Sequence, residues 1–457
     1  MTRRMEKRSV KPRKRPAGYE LGLWLAIMLV CAVLLLVLEW PQPDAAQDAS
    51  GMPLFAAASP EVQSVQIMPE GGDAFTLVLS SGGGYAVEED AGMVLRADRT
   101  SSLFAEAESL RLTPMARSDD WALYGLSPAA CEIRISTADE EKALLLGSLT
   151  PSGTARYVRM DGELYTARLF LSGIPTLSTL HALPSLYGNG EMPSEFLLCR
   201  RDGSRVAGGI TDGRTLGVTT LVVTEPFQWE MDIEQAAELI NGIGGITFLS
   251  WQMKKSPENL AQCGLDKPLS FTARYQPEDG EPLGWTLYIG DAMDDQSVYV
   301  CLEDDENIFA ASLASVRFLE EMDATNLISR FAGLVMLDLI DTVQIGWDGG
   351  SAILSRAQAD GAVACTVNGA ACTEEDFRAL YQQLIAPRVD GLLPDSAQYG
   401  QPRLSLRYQL KDGSEEKVDY CAWSPEFDAV ERNGEALFYI SRDKVDAVLS
   451  AMKQLEP

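Results

Sequence analysis

WALYGLSPAACEIRIS, residues 121–136, returns as LAQCGLDKPLSFTARY at residues 260–275, with Gly125 in register with Gly264. The residues downstream of the two stretches also agree. A short strand, a turn and a second strand end in Leu146-Gly147 in one copy (KALLLG) and in Ile289-Gly290 in the other (GWTLYIG). A tyrosine strand and its return come next, RYVRMDGELYTA in the first and VYVCLEDDENIFAA in the second. Upstream, apolar periodicity predicts a helix over 101–112 in the first copy and over 233–243 in the second, where Asp232 suits an N-cap. A third, partial copy has strands at 342–347 and 362–367, an Asn368-Gly369 turn, a helix from 373 to about 386, then LSLRYQLKDGSEEKVDYCAW and ALFYISRDKVDAVLSAMKQL. It lacks the Gly-Leu-x-Pro element. These are tandem repeated β-rich α+β modules of roughly 120–140 residues, an ordinary domain size, placed at 61–193, 194–340 and, as a partial module, 341–457. Solenoid repeats run only about 20–50 residues, so this period marks duplicated domains.

Local signals agree with a β-rich plan. Strands are expected at 65–68, 75–79 and 85–88, and Asp-Gly turns sit at 161–162, 202–203, 279–280, 348–349 and 412–413, as hairpins require. In Gly-Leu-x-Pro the glycine permits a sharp turn, the leucine anchors it in the core and the proline sets the entry to the next strand. That is a mechanical role.

Outside the modules, charge and hydropathy set the topology. Residues 1–20 carry Arg3, Arg4, Lys7, Arg8, Lys11, Arg13, Lys14 and Arg15 against Glu6 and Glu20, and LGLWLAIMLVCAVLLLVLEW follows at 21–40. The uncharged part of that run is long enough to cross a bilayer core of about 30 Å as a helix. A basic flank stays in the cytoplasm, so the reading is a basic cytoplasmic tail (1–20), a single-pass transmembrane helix (21–40) with Trp24 and Trp40 at the interfaces, a flexible stalk (41–60) and an extracytoplasmic bulk. A cleaved signal peptide fits poorly, because its apolar core is about 7–15 residues and the nearest Ala-x-Ala, at 56–58, lies far downstream. Val30 before Cys31 argues against lipoprotein processing.

Composition narrows the chemistry. The chain of 457 residues has 38 Lys+Arg against 66 Asp+Glu, a net charge of −28, and one histidine, His181. Ser-His-Asp catalysis, His-rich metal centres and HExxH proteases therefore rest on His181 or are excluded. His181 lies in the apolar stretch LSTLHALPSL, which predicts a packed or capping ring. An acidic bulk also argues against nucleic acid and anionic wall polymers as partners. Seven cysteines follow the anchor, Cys131, Cys199, Cys263, Cys301, Cys365, Cys372 and Cys421, with no CxxC. They read as small buried hydrophobes with room for one bridge, and zinc through Cys365 and Cys372 finds no partners at ligand spacing. The acidic run Glu303-Asp304-Asp305-Glu306, near Asp291, Asp294 and Asp295, reads as a solvated hairpin tip without EF-hand spacing for calcium. Gly242-Ile243-Gly244-Gly245 lies at a helix end and does not meet GxGxxG, so it reads as a C-cap. No catalytic, cofactor-binding or metal-binding residue is assigned.

Tyr124-Gly125-Leu126-Ser127-Pro128, the strand end Leu146-Gly147, Tyr157-Val158 and Glu163-Leu164-Tyr165, behind a basic-flanked anchor, resemble a bacterial domain-of-unknown-function family, DUF4340. The second copy is similar through Gly264-Leu265-Asp266-Lys267-Pro268, Ile289-Gly290 and Tyr299-Val300, with Cys263 in the place of the tyrosine. The resemblance spans most of residues 60–340. It implies an envelope protein, in some members found with gliding-motility-type ABC transporter components, and carries no catalytic residues across. The reading is a non-enzymatic, membrane-anchored interaction protein of the bacterial envelope, accessory to an ABC transporter assembly. The alternative is a cell-wall ligand binder or carbohydrate-active protein, which needs a cleft where Trp229, Trp251 or Trp285 converge with acidic side chains.

Overall fold

In a computed structural model, the residues described are 51–454 apart from 58–59, 81, 117–118, 189, 212–218, 278–279 and 360–361. They form a β-rich α+β chain with few helices, built on three nine-stranded antiparallel sheets. In the second sheet a meander of Glu195–Cys199, Arg205–Ile210, Leu221–Glu225 and Trp229–Glu230 runs outward from the centre. The helix Ile233–Gly244 then carries the chain across to the far edge strand, Phe248–Lys254. A second meander, Leu269–Tyr275, Leu283–Ala292, Ser297–Leu302 and Asn307–Ser312, starts beside the first strand and runs out to meet that edge.

The third sheet repeats this order. Ile340–Trp347, Gly350–Ala359, Ala362–Val367 and Ala370–Cys372 are followed by the helix Glu374–Ile385 and the edge strand Gly391–Leu392. Pro402–Leu410, Glu415–Ala422, Phe427–Arg432 and Glu435–Ser441 complete it, so the stretch expected as a partial copy holds the full set. The first sheet differs at its rim. Its opening meander has three strands (Val62–Pro69, Phe75–Leu79, Tyr85–Val87), and its ninth strand, Met52–Pro53, is added outside the edge strand Arg111–Pro114. Two-residue turns close several hairpins: Asp161-Gly162, Asn368-Gly369 and Asn433-Gly434 all have both residues at positive φ, which matches strand twist.

The repeated glycines explain the repeated sequence. In the first copy a helical turn, Trp121–Tyr124, ends at Gly125 (φ 66°), with Leu126 N–H bonded to Trp121 O at 2.9 Å and Gly125 N–H to Ala122 O at 3.1 Å. In the second, Pro257–Gln262 is capped by Ser256 Oγ and ends at Cys263-Gly264 (φ 67°), with Leu265 N–H to Leu260 O at 2.8 Å and Gly264 N–H to Ala261 O at 3.3 Å. Both are Schellman caps with glycine in the left-handed position and a buried leucine after it. Each cap seats on the other glycine of its copy, since a Cβ on Gly147 would stand 2.2 Å from Tyr124 O and one on Gly290 2.1 Å from Cys263 O. The strand bulges at the same place in both copies, after Leu146 and after Ile289.

The chain divides into two compact units, Met1–Thr176 and Leu177–Pro457. Residues 177–193, expected in the first module, pack in the second unit, where Ser178 Oγ donates to Trp251 O and Trp285 Nε1 donates to Tyr187 O. Within that unit the second and third sheets share one hydrophobic core, which includes Phe271, Leu319, Phe377 and Tyr408. Trp229 lies 4.7 Å from Phe438, and Glu230 pairs with Arg432 from the third sheet.

Three expectations are corrected. The first helix is Ala97–Glu108, not 101–112, because Leu110 and Leu112 are buried from an extended segment rather than from a helix face. The stalk ends earlier than residue 60: Met52 pairs with Leu112, and Leu54 and Phe55 are buried. The third copy is not partial, because its sheet has all nine strands, although it does lack the glycine cap: Gly400-Gln401-Pro402 stands where the other copies have Gly-Leu, and Gly400 is not at positive φ. The tail at 1–20, the helix at 21–40 and the stalk up to residue 50 lie outside the described residues, among which no helix is long and apolar enough to cross a membrane.

Candidate functional site: a glycine-floored hollow on the second sheet

Most residues singled out for chemistry have structural partners. His181 is buried, stacked on Trp251 at 5.5 Å between ring centres and edge-on to Phe309 at 5.7 Å, with Nδ1 2.6 Å from Ala182 O. The three tryptophans do not converge. Trp229 and Trp251 sit in opposite edge strands of the second sheet and Trp285 lies between them, and each indole N–H is spent on a structural acceptor: Ser329 O, Asn307 Oδ1 and Tyr187 O. Gly245 caps the helix Ile233–Gly244, which Asp232 opens by accepting from Glu234 N–H and Gln235 N–H. The run at 303–306 is the tip of the hairpin between Ser297–Leu302 and Asn307–Ser312, where Asp305 accepts from Asn307 and Glu303 from Tyr288. Among the described residues no three His, Cys, Asp or Glu side chains are grouped to hold a metal ion.

The seven thiols from Cys131 to Cys421 are free, and five of them, Cys131, Cys263, Cys301, Cys365 and Cys421, are buried. Burial pushes Cys301 up to about 11 and Cys421 up to about 12. The unfolded chain ionises such thiols from about pH 8.5 while the fold holds them neutral, so the folded state binds more protons and stability falls as pH rises. Each group should cost roughly 1.4 kcal/mol per pH unit above that point. Urea denaturation should therefore give a lower midpoint at about pH 9.5 than at about pH 7.5, with a smaller drop for Cys421→Val.

Among the described residues, a hollow of about 460 Å³ lies on the second sheet, and another of like volume is lined by Arg201, Asp202 and Asp291. Glu195, Leu197, Thr272 and Arg274 share one sheet face, since Glu195 pairs with Arg274 and Leu197 with Thr272, while Phe196, Leu198 and Phe271 point into the core behind. Gly208 and Gly209 floor the hollow. A Cβ on Gly208 would stand 2.4 Å from Val222 O, and one on Gly209, at φ 154°, 2.0 Å from Ser194 O. The register slips between Ala207 and Gly208 against the strand Leu221–Glu225, a bulge of the kind that re-aims a side chain, here beside Thr224. At the rim, Arg274 pairs with Glu195 at 3.2 Å and Arg205 with Glu225 at 3.2 Å, all four well exposed. The hollow thus offers backbone, the threonines Thr211, Thr224 and Thr272, and pre-paired charges. Two adjacent glycines inside the strand-like RVAGGI are the signal for it in the sequence.

A family model described as a domain of unknown function, DUF4340, matches residues 222–396. The resemblance drawn from the glycine motifs thus holds on the second copy, and the matched stretch runs from the strand Leu221–Glu225 through the third sheet's edge strand Gly391–Leu392. Val222, Thr224, Gln228, Thr272 and Arg274 of the hollow lie inside it. No curated protein and no solved structure matches the chain.

Proposed function

We propose that this chain, which belongs to the DUF4340 family through residues 222–396, is a single-pass membrane protein of the bacterial envelope. Its duplicated modules face away from the cytoplasm and work without catalysis, by docking to another envelope protein of an ABC transporter assembly. The observation that supports docking is the hollow: it is open, floored by backbone and rimmed by exposed paired charges. A small-molecule site instead buries most of its ligand among apolar walls. Eight basic residues ahead of an uncharged apolar run support the anchor and its orientation.

Protease added to spheroplasts should digest the acidic bulk and spare the tail. Affinity purification from detergent-solubilised membranes should bring down a transporter subunit, and Thr224→Trp, which fills the hollow from an exposed position, should lose that partner. Its effect on stability should stay within about 0.5 kcal/mol. Protection of the bulk, or equal recovery of the subunit with Thr224→Trp, would contradict the proposal.

The second reading, a wall-facing ligand binder or carbohydrate-active protein, is supported by the hollow's size, because small-ligand sites measure about 300–1,000 Å³. Titration with soluble wall-glycan fragments distinguishes the two. Saturable heat abolished by Thr224→Trp would favour this second reading over docking.

A further inference from the structure

Cys365 and Cys372 stand directly opposite each other on the antiparallel strands Ala362–Val367 and Ala370–Cys372. We propose that this pair is an oxidation site, forming a reversible cross-strand disulfide by exchange with a small disulfide oxidant. The register carries the proposal. Asn368-Gly369 closes a two-residue turn, so the pairs run Val367 with Ala370, Thr366 with Ala371, and Cys365 with Cys372. The closing pair of such a hairpin is hydrogen-bonded, and so is every second pair beyond it, which sets the two cysteine Cα atoms about 5.5 Å apart. Disulfides use Cα separations of about 4.4–6.8 Å.

Opposed side chains share a face, and here both sulfurs lie toward the core, Cys365 buried and Cys372 partly so. Bonding them must draw the Cβ atoms together by up to about 1 Å, from the spacing of an open pair to that of a disulfide. The strand that has to move is the three-residue edge strand of its sheet, with Ala370 and Ala371 exposed. A bridge formed under that strain is of the labile kind rather than the permanent kind. Arg356 lies opposite Cys365 on the other flanking strand, buried, with Nε and Nη1 lacking a hydrogen-bond partner among the described residues and Nη2 3.3 Å from Asp338. Burial holds the Cys365 thiol above its ordinary value, and the Arg356 cation beside it offsets part of that rise.

The exchange balances. Cys372, the more exposed thiol, gives its proton to water and attacks one sulfur of the oxidant; the oxidant's S–S bond breaks and one thiolate leaves. Cys365, deprotonated in turn, attacks Cys372 Sγ and expels the second oxidant thiolate. Two cysteine thiols are oxidised and one disulfide is reduced to two thiols. The site does not depend on the proposed partner.

The test is a peptide map of the purified full chain, equilibrated with oxidised and reduced glutathione, acid-quenched, denatured and alkylated without reduction. Two of the eight cysteines should become unreactive, joined by an internal bridge within the one tryptic peptide, residues 357–378, that contains both Cys365 and Cys372, and excess reduced glutathione should reverse it. Cys365→Ser and Cys372→Ser should each leave every remaining cysteine alkylated. Full alkylation after oxidant, or a cross-link between other cysteines such as Cys263 and Cys301, would overturn the proposal.

Discussion

Replacing Gly290 with valine should unfold the second sheet. A Cβ at this position would stand 2.1 Å from Cys263 O and 3.0 Å from Leu265 Cγ. The first obstacle is backbone held by the Asp291 N–H bond to Cys263 O at 2.8 Å, so no side chain can swing aside. Either the cap lifts from the strand, exposing buried Leu265 and breaking that bond, or the strand distorts beside its bulge. Overpacking alone costs about 1–3 kcal/mol, and a lost buried hydrogen bond adds about 1–3 more. That is a large part of a net stability of about 5–15 kcal/mol. Gly346→Ala is the control, because its Cβ would meet nothing nearer than Ser405 at 3.9 Å. Circular dichroism with urea titration should show the Gly290 variant unfolded or with a much lower midpoint and the Gly346 variant near wild type. The same change at Gly147, which faces Tyr124 O, should do to the first unit what Gly290→Val does to the second.

Arg432→Ala should be nearly as damaging, by a different route. The guanidinium holds Glu230 with two hydrogen bonds, 2.9 and 3.0 Å, and each side chain is only 15% exposed. It also lies 5.1 Å over the Trp229 ring, on the edge strand through which the second sheet meets the third. Truncating the arginine leaves Glu230 as an uncompensated, largely buried charge, a loss of about 3–5 kcal/mol. Replacing both partners by apolar residues of like size, Glu230→Met with Arg432→Met, should restore most of it. A double-mutant cycle on urea midpoints checks this, and a double variant as unstable as Arg432→Ala would show that the pair is not what couples the sheets.

The fold was most legible where the decisive contacts are local. The helix Ile233–Gly244 shows its Asp232 cap and its periodicity, and the glycine caps show a turn, an anchor and a strand end within thirty residues of sequence. Legibility fails where a partner is remote. Nothing in the two-residue strand Met52–Pro53 announces that it pairs with Leu112 and Arg111, because the pairing is set by burial of Leu54 and Phe55 beside it. The helix at 97–108 is misplaced by four residues for a related reason, since Leu110 and Leu112 continue an apolar pattern that belongs to two elements. The third copy hides its likeness because Gly400-Gln401-Pro402 has neither the leucine nor the left-handed glycine of the other two caps. The hollow is legible only as the pair Gly208-Gly209, and its meaning depends on the bulge against the next strand, which no local pattern encodes.

A photo-crosslinking residue introduced at position 224, in intact cells, tests the docking account most directly. Thr224 lines the hollow, whereas Ile353 is an exposed apolar position elsewhere, 46% accessible, and serves as the comparison site. Docking predicts an adduct of defined mass with an ABC transporter subunit from position 224 and none from position 353. Adducts with wall glycan alone, or the same pattern from both positions, would contradict it.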